Sequence, residues 1–268
     1  MPKKLFILST LFFYSTFILG QNCKQPNIIF DTDYFNAVDH WVVLPEKATD
    51  STYLLGYVYL DEIMGFTLFC ENTITINNKE WIVNSTTANI IKTTLDKMTP
   101  LVYLLSANDI EKMHLPEKPQ WLKVFDSIEK STDDLVLIGY QYNAVGKSDL
   151  AIPFLKKAFA KKPKTKNLAF ELSFAFNAIA DYEKAIAVLN LALQYDDYNY
   201  MLYRELGYAL LKIEKIEDAE KAYEKGLSLC DNEIQKRDIA LDMAQTFFHL
   251  KDIEKFKKWA AILKNDNN

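Results

Sequence analysis

The chain has 268 residues, with 31 Lys and Arg against 36 Asp and Glu, a formal net charge of −5, and three cysteines. That acidic balance argues against a general nucleic-acid surface, and three cysteines permit at most one intrachain disulfide. Only 7 glycines stand beside 17 Phe, 15 Tyr and 4 Trp, a composition that favours long regular elements over the glycine-rich loops that hold phosphates and cofactors.

Lys3 and Lys4 precede an apolar run from Leu5 to Leu19, and Gly20 is a small residue at a cleavage edge. Residues 1–20 read as a secretory signal peptide, too short in its apolar run for a membrane span, so the expected destination is periplasmic or secreted. Gln21 and Asn22 separate Gly20 from Cys23, which argues against a lipid anchor there. Loss of Lys3 and Lys4 leaves 29 basic against 36 acidic residues, a net charge of −7 for the exported chain. In an oxidising compartment Cys23 and Cys70 form the candidate disulfide. No later segment is apolar enough to make an integral membrane span.

Residues 25–119 have the rhythm of a small α+β domain. Tyr53–Asp61 and Gly65–Cys70 are rich in β-branched and aromatic residues, and Thr73–Ile76 and Trp81–Val83 read as strands joined by a tight turn at Asn77-Asn78. Ser85–Met98, with Ile90, Ile91 and Leu95 on one side, is expected to be a helix capped at Ser85, and Leu101–Leu105 a further strand. The prolines of Leu115–Pro119 close the domain as a linker. Asp31 and Asp33 follow Ile28-Ile29-Phe30, but without the glycine turn and second carboxylate that a metal-dependent hydrolase would need, so they read as a helix cap or solvated turn. His40, His114 and His249 fall in different elements, and no serine or cysteine sits in a glycine elbow. No catalytic residue, metal ligand or cofactor is assigned.

From residue 132 the strongest signal is an internal period of thirty-four residues. Leu135, Ala169 and Tyr203 fall in one column; Gly139, Ser173 and Gly207 in another; Tyr142, Phe176 and Leu210, Ala151, Ala185 and Ala219, Leu155, Leu189 and Tyr223, and Ala158, Ala192 and Gly226 in four more. Large residues recur where paired helices must fill the space between them, and small ones where backbones come close. Gly146 is expected to end one helix and Ser148 or Asp149 to cap the next, which puts Pro153 near the first turn, where a missing donor costs little. The basic run Lys156 to Lys166 reads as a solvated helix end and turn.

These residues resemble tetratricopeptide repeats. Residues 132–165 carry Leu135, Ile138, Gly139, Tyr142, Ala151, Leu155, Ala158 and Pro163 at the signature places, with Leu135 where tryptophan is usual. Residues 166–199 keep Ala185 and Ala192 but have Ser173 for glycine and Asp197 for the closing proline, and residues 200–233 keep Leu206, Gly207, Ala219 and Tyr223. With about three extra residues near Asp231–Lys236, Ala244, Phe247, Asp252, Trp259 and Leu263 fall into line, so residues 237–268 read as a degenerate last repeat and cap. Residues 120–131 read as a linking helix or half-repeat, because Pro119–Phe125 echoes Pro153–Phe159. The resemblance implies a right-handed superhelical solenoid behind the α+β domain.

In such arrays the first helix of each unit lines a concave groove. The resemblance places Val136, Tyr140 and Asn143 there from the first unit, Phe170, Phe174 and Asn177 from the second, and Met201, Arg204, Tyr208 and Leu211 from the third. Tyr140, Phe174 and Tyr208 form an aromatic stripe, and Asn143 and Asn177 offer amides to the backbone of an extended peptide. The alternative for this stripe is cover by the N-terminal domain or plain interhelical packing. Arg204 alone stands where a carboxylate clamp would need cations, so a clamp is not expected. The function expected is an exported scaffold or adaptor binding a protein or extended peptide; the alternative is an N-terminal enzyme or small-ligand domain with the repeats as its docking arm.

Overall fold

In a computed structural model, the structure describes residues 28–45, 52–61, 64–77, 80–85, 90–96, 98–122 and 129–263. The chain divides into two compact units, Met1–Glu129 and Lys130–Asn268. The signal peptide and Cys23 lie outside the described residues, as do residues 123–128, half of the expected linking helix.

The first unit is a six-stranded sheet. Its strands are β1 (His40–Pro45), β2 (Thr52–Asp61), β3 (Gly65–Asn77), β4 (Glu80–Ser85), β5 (Ile91–Thr94) and β6 (Tyr103–Leu104), in the order β4-β3-β2-β1-β6, with β5 also paired to β3. All pairings are antiparallel. The segments expected as two strands at Gly65–Cys70 and Thr73–Ile76 are one thirteen-residue strand carrying a bulge. Leu55 faces Asn72 and Gly56 faces Cys70, so Glu71 is the extra residue. The bulge reverses the alternation: Phe69 before it and Ile74 after it both pack on the core built from Trp41, Val43, Leu55 and Tyr57. A glycine is required opposite, because a Cβ on Gly56 would lie 2.5 Å from Cys70 Sγ.

A short helix, α1 (Ala107–Lys112), is held by a complete capping box between Ser106 and Asp109 and adds Ile110 to that core. Trp121 packs its ring on Tyr59 and Phe69, and Trp41 Nε1 donates to the Pro116 carbonyl at 2.8 Å. The expected helix at Ser85–Met98 is not formed: Glu80–Ser85 is β4 and Ile91–Thr94 is β5, paired to Thr67–Cys70. The β-branched residues Ile91, Thr93 and Thr94 lose rotamer freedom in a helix and fit a pleated, half-buried edge. A helical spacing of three isoleucine and leucine positions is too weak to overcome that. Cys70 is buried in this sheet, and burial pushes its thiol up to about 12.

The second unit is a run of antiparallel helix pairs: α2 (Thr132–Ala144) with α3 (Ser148–Lys161), α4 (Leu168–Ala178) with α5 (Tyr182–Ala192), α6 (Tyr200–Lys212) with α7 (Ile216–Leu229), and α8 (Glu233–His249) with α9 (Ile253–Leu263). The small columns sit where helices touch. A Cβ on Gly139 would lie 2.3 Å from Leu155 Cγ, and one on Gly207 would lie 2.7 Å from the Tyr223 ring. Ser173 fits the same place by turning its hydroxyl back to the Phe170 carbonyl at 2.9 Å.

Each first helix ends in the same reversal. Gly146, Ala180, Glu214 and Lys251 are left-handed, with φ of 74°, 62°, 62° and 59°. The next residue donates back to the first helix: Lys147 to Tyr142, Asp181 to Phe176, Lys215 to Leu210 and Asp252 to Phe247. This is the hydrogen bond that closes a helix end of the Schellman kind. Helix α3 starts at Ser148 after Lys147, without a side-chain cap, so neither Ser148 nor Asp149 caps it. Pro153 is therefore one or two residues deeper than expected, yet it faces solvent and removes only the bond that would reach Asp149.

The last pair closes the array around Trp259, fully buried against Tyr223, Ile239, Met243 and Phe247. Glu220 of α7 is its anchor. The carboxylate accepts from Trp259 Nε1 at 3.2 Å, Lys255 at 2.7 Å and Lys258 at 3.1 Å.

Candidate binding groove

Successive first helices α2, α4 and α6 touch one another, while successive second helices make no comparable contact. The first helices therefore lie on the inside of the curve. Their inner residues fall into three classes.

Tyr140 projects into solvent, 49% exposed. Phe174 and Tyr208, at the same repeat position, are half-buried. Phe174 packs on Phe170 with ring centroids 6.2 Å apart, and Tyr208 meets Tyr182 at 6.4 Å. Met201 and Leu211 are also half-buried. Val136 is buried and belongs to the packing.

Asn143 and Asn177, expected as open groove donors, do not face solvent. Both are buried, and their amides are spent inside the solenoid. Asn143 Nδ2 donates to the Glu171 carbonyl at 3.0 Å and to Glu171 Oε2 at 2.9 Å. Asn177 repeats the pair with Glu205, at 3.2 Å and 2.9 Å. Each asparagine thus ties the first helix of one repeat to the first helix of the next, and its amide hydrogens are not open to a peptide backbone. The physical reason is the partner carboxylate: a buried Glu must be supplied with donors, and the amide supplies them.

Glu171 and Glu205 carry no signal of their own in the sequence reading, although they recur at the same thirty-four-residue step. They are not equivalent. Burial raises the pKa of Glu171, the Asn143 bond draws it down less strongly, and the Glu205 charge raises it further. Glu205 has a cation of its own: Arg204 Nη2 donates to Glu205 Oε1 at 3.1 Å, and its Nη1 donates to Gln235 at 2.7 Å. The same guanidinium lies 5.8 Å from the centre of the Phe170 ring. Arg204 is committed to its neighbours and offers no free fork to a carboxylate.

Between α6 and α8 the inner face opens into a cleft of about 310 Å³, lined by Arg204, Glu205, Tyr208, Asp238, Leu241 and Asp242. Asp242 accepts from the Tyr223 hydroxyl at 2.7 Å, and burial first, then that carboxylate, keeps the Tyr223 hydroxyl protonated. The fourth pair also extends the apolar row: Leu241 is 45% and Phe248 61% exposed. These two stand thirty-seven residues after Arg204 and Leu211, so the insertion between the third and fourth units hides them from a thirty-four-residue comparison.

Among the described residues no three His, Cys, Asp or Glu side chains gather into a metal-binding group, and no helix is long and apolar enough to cross a membrane. The helical unit has the fold of a tetratricopeptide-type array, with antiparallel pairs, a thirty-four-residue step and repeated helix ends. Among solved structures the chain is similar to MamA from Desulfovibrio magneticus RS-1, 18% identical over 56% of this chain and 83% of that one, with a TM-score of 0.45. It is also similar to PilF of Pseudomonas aeruginosa, 20% identical over 55% and 64%, TM-score 0.46, and to TTC0263, a thermophilic TPR protein of Thermus thermophilus, 18% identical over 53% and 75%, TM-score 0.44. No protein-family model matches the chain, and no curated protein matches it.

Proposed function

We propose that this protein is an exported interaction scaffold that holds an extended protein segment along the inner face of its helical array. The observation that supports this most directly is the row of rings at Tyr140, Phe174 and Tyr208, spaced by one repeat each and open to solvent at Tyr140. Buried packing does not account for a half-exposed tyrosine at the repeat position where its equivalents are also rings, and aromatic side chains carry a large share of binding energy at protein interfaces. Export rests on the leader formed by Lys3, Lys4 and the apolar run to Leu19. The β-rich unit contributes a second surface, with no catalytic group assigned to it.

The test is the double substitution Tyr140→Ala with Phe174→Ala, used beside the parent chain as bait for the envelope fraction of the native cell. Loss of two aromatic anchors is expected to weaken capture more than tenfold, on the order of 2 kcal/mol or more, while the helical circular dichroism stays unchanged. Equal capture by both baits would remove the inner face from the binding reaction.

A further inference from the structure

The chemistry of the bound segment can be carried one step further, on the premise that the inner face is the binding surface. The charges there are unequal. Glu205, Asp238 and Asp242 line a cleft with Arg204, whose guanidinium is already shared between Glu205, Gln235 and the Phe170 ring. The one other cation over the row among the described residues, Lys212, lies 5.0 Å from the centre of the Tyr208 ring. Around the cleft between α6 and α8, three carboxylates meet one occupied guanidinium, with Leu241 and Tyr208 as apolar walls. A cleft of about 310 Å³ has room for the end of a long side chain. Its walls suit the methylene stem of a lysine or arginine and its carboxylates suit the cationic head. A carboxylate in the same place would meet three like charges, with Arg204 already shared and Lys212 outside the lining on the Tyr208 ring.

We infer that the array selects a basic and apolar extended segment: a lysine or arginine enters the cleft between α6 and α8, and an aromatic or long aliphatic residue of the same segment lies on the Tyr140–Phe174 rings. The spacing between the two follows from the fold. Neighbouring packed helices stand about 8–10 Å apart, so the cleft is about 12–15 Å from Phe174. An extended strand covers about 3.3 Å per residue, which puts the apolar residue about four positions from the basic one.

The experiment is selection of peptides nine residues long from a random displayed library on the full chain. Three baits run in parallel: the parent, Asp238→Lys, and Tyr140→Ser with Phe174→Ser. Asp238 is exposed, so its replacement leaves the packing alone, and Asp238→Asn serves as the milder variant if circular dichroism shows the charge reversal to be misfolded. Peptides enriched by the parent are expected to carry Lys or Arg about four positions from an aromatic or Leu, with binding to Asp238→Lys at least about fivefold weaker, in line with a partly shielded ion pair. Enrichment of neutral or acidic peptides, or of basic peptides that bind Asp238→Lys as tightly as the parent, overturns the basic assignment and leaves the groove standing. If the parent enriches nothing that the double serine variant does not also enrich, the groove itself is refuted and the inference goes with it.

Discussion

The two asparagine ties are chemically alike and electrostatically different, which makes their removal a direct probe of the inner face. Asn143→Ala deletes one bond to a carboxylate and one to a carbonyl of Glu171. A bond to a charged group contributes about 1.5–3 kcal/mol and a neutral one about 0.5–1.5. Alanine also removes an Oδ1 that is buried without a hydrogen-bond donor, a relief of about 1–3 kcal/mol, so the net loss expected is about 1 kcal/mol. Asn177→Ala should cost about half as much, because Glu205 keeps the Arg204 guanidinium at 3.1 Å. The difference carries a pH signature. Burial holds the Glu171 carboxyl above its ordinary value of 4.5, so its protonated form favours the fold; its contribution is greatest at low pH and falls as pH rises from 4.5 to the raised folded value. Asn143→Ala takes away the bond that draws that value down, so the folded pKa climbs further. The stability deficit of the variant should therefore be largest at pH 7 and shrink on acidification toward 4.5. Urea unfolding of the full chain, followed by far-UV circular dichroism at pH 7 and pH 5, reads both quantities. Equal losses for the two variants, or a deficit for Asn143→Ala that ignores pH, would refute the account of Glu171 as a buried charge resting on one amide.

Two further outcomes concern stability. Glu214 sits at φ 62°, a conformation that costs an L-residue about 1–2 kcal/mol; Glu214→Gly should gain about 0.5–1 kcal/mol after glycine's own backbone entropy, raising the melting temperature by about 1–4 °C in calorimetry. Gly146→Ala should lose a similar amount through strain alone, since an added Cβ there meets nothing within 4 Å. At Glu220, burial raises the carboxyl pKa, but the bonds from Lys255, Trp259 and Lys258 outweigh it and hold the group below its ordinary 4.5. That contribution is present above pH 4.5 and is lost as pH falls through the folded value. Because both lysines are well exposed, Glu220→Gln should cost only about 1 kcal/mol at pH 7, with the gap to the parent closing below pH 4 in the same melts.

The helical unit was legible because its information repeats. A column such as Gly139, Ser173 and Gly207 holds small residues for one cause, seen at Gly139 against Leu155 and at Gly207 against Tyr223, and three instances separate cause from accident. The sheet offers no such redundancy. The single extra residue Glu71 shifts the alternation within β3, so a period-two reading breaks in the middle of a continuous strand and makes two segments of it. At Ile90-Ile91 a helical spacing and a β-branched run coincide in a few residues, and pairing with Thr67–Cys70, more than twenty residues away, decides the outcome. Local pattern carries no information about that partner.

The residues expected to line the groove divide for a related reason. Position within the repeat sets Tyr140, Phe174 and Tyr208 one step apart, and they are exposed or half-buried. It does not say whether an inward side chain meets solvent or the neighbouring repeat. Asn143 and Asn177 stand one helical turn beyond the rings, at the level of the next first helix, where Glu171 and Glu205 reach back to them. The signal was present as a paired recurrence: Asn at one step and Glu twenty-eight residues later, twice over. A polar residue that recurs alone at a repeat position is compatible with an open surface, but one that recurs together with a complementary residue at constant separation is making a bond. That distinction leaves the rings, the cleft beside Asp238 and Asp242, and Phe248 with surface still open to solvent, and moves the asparagines into the frame that joins one first helix to the next.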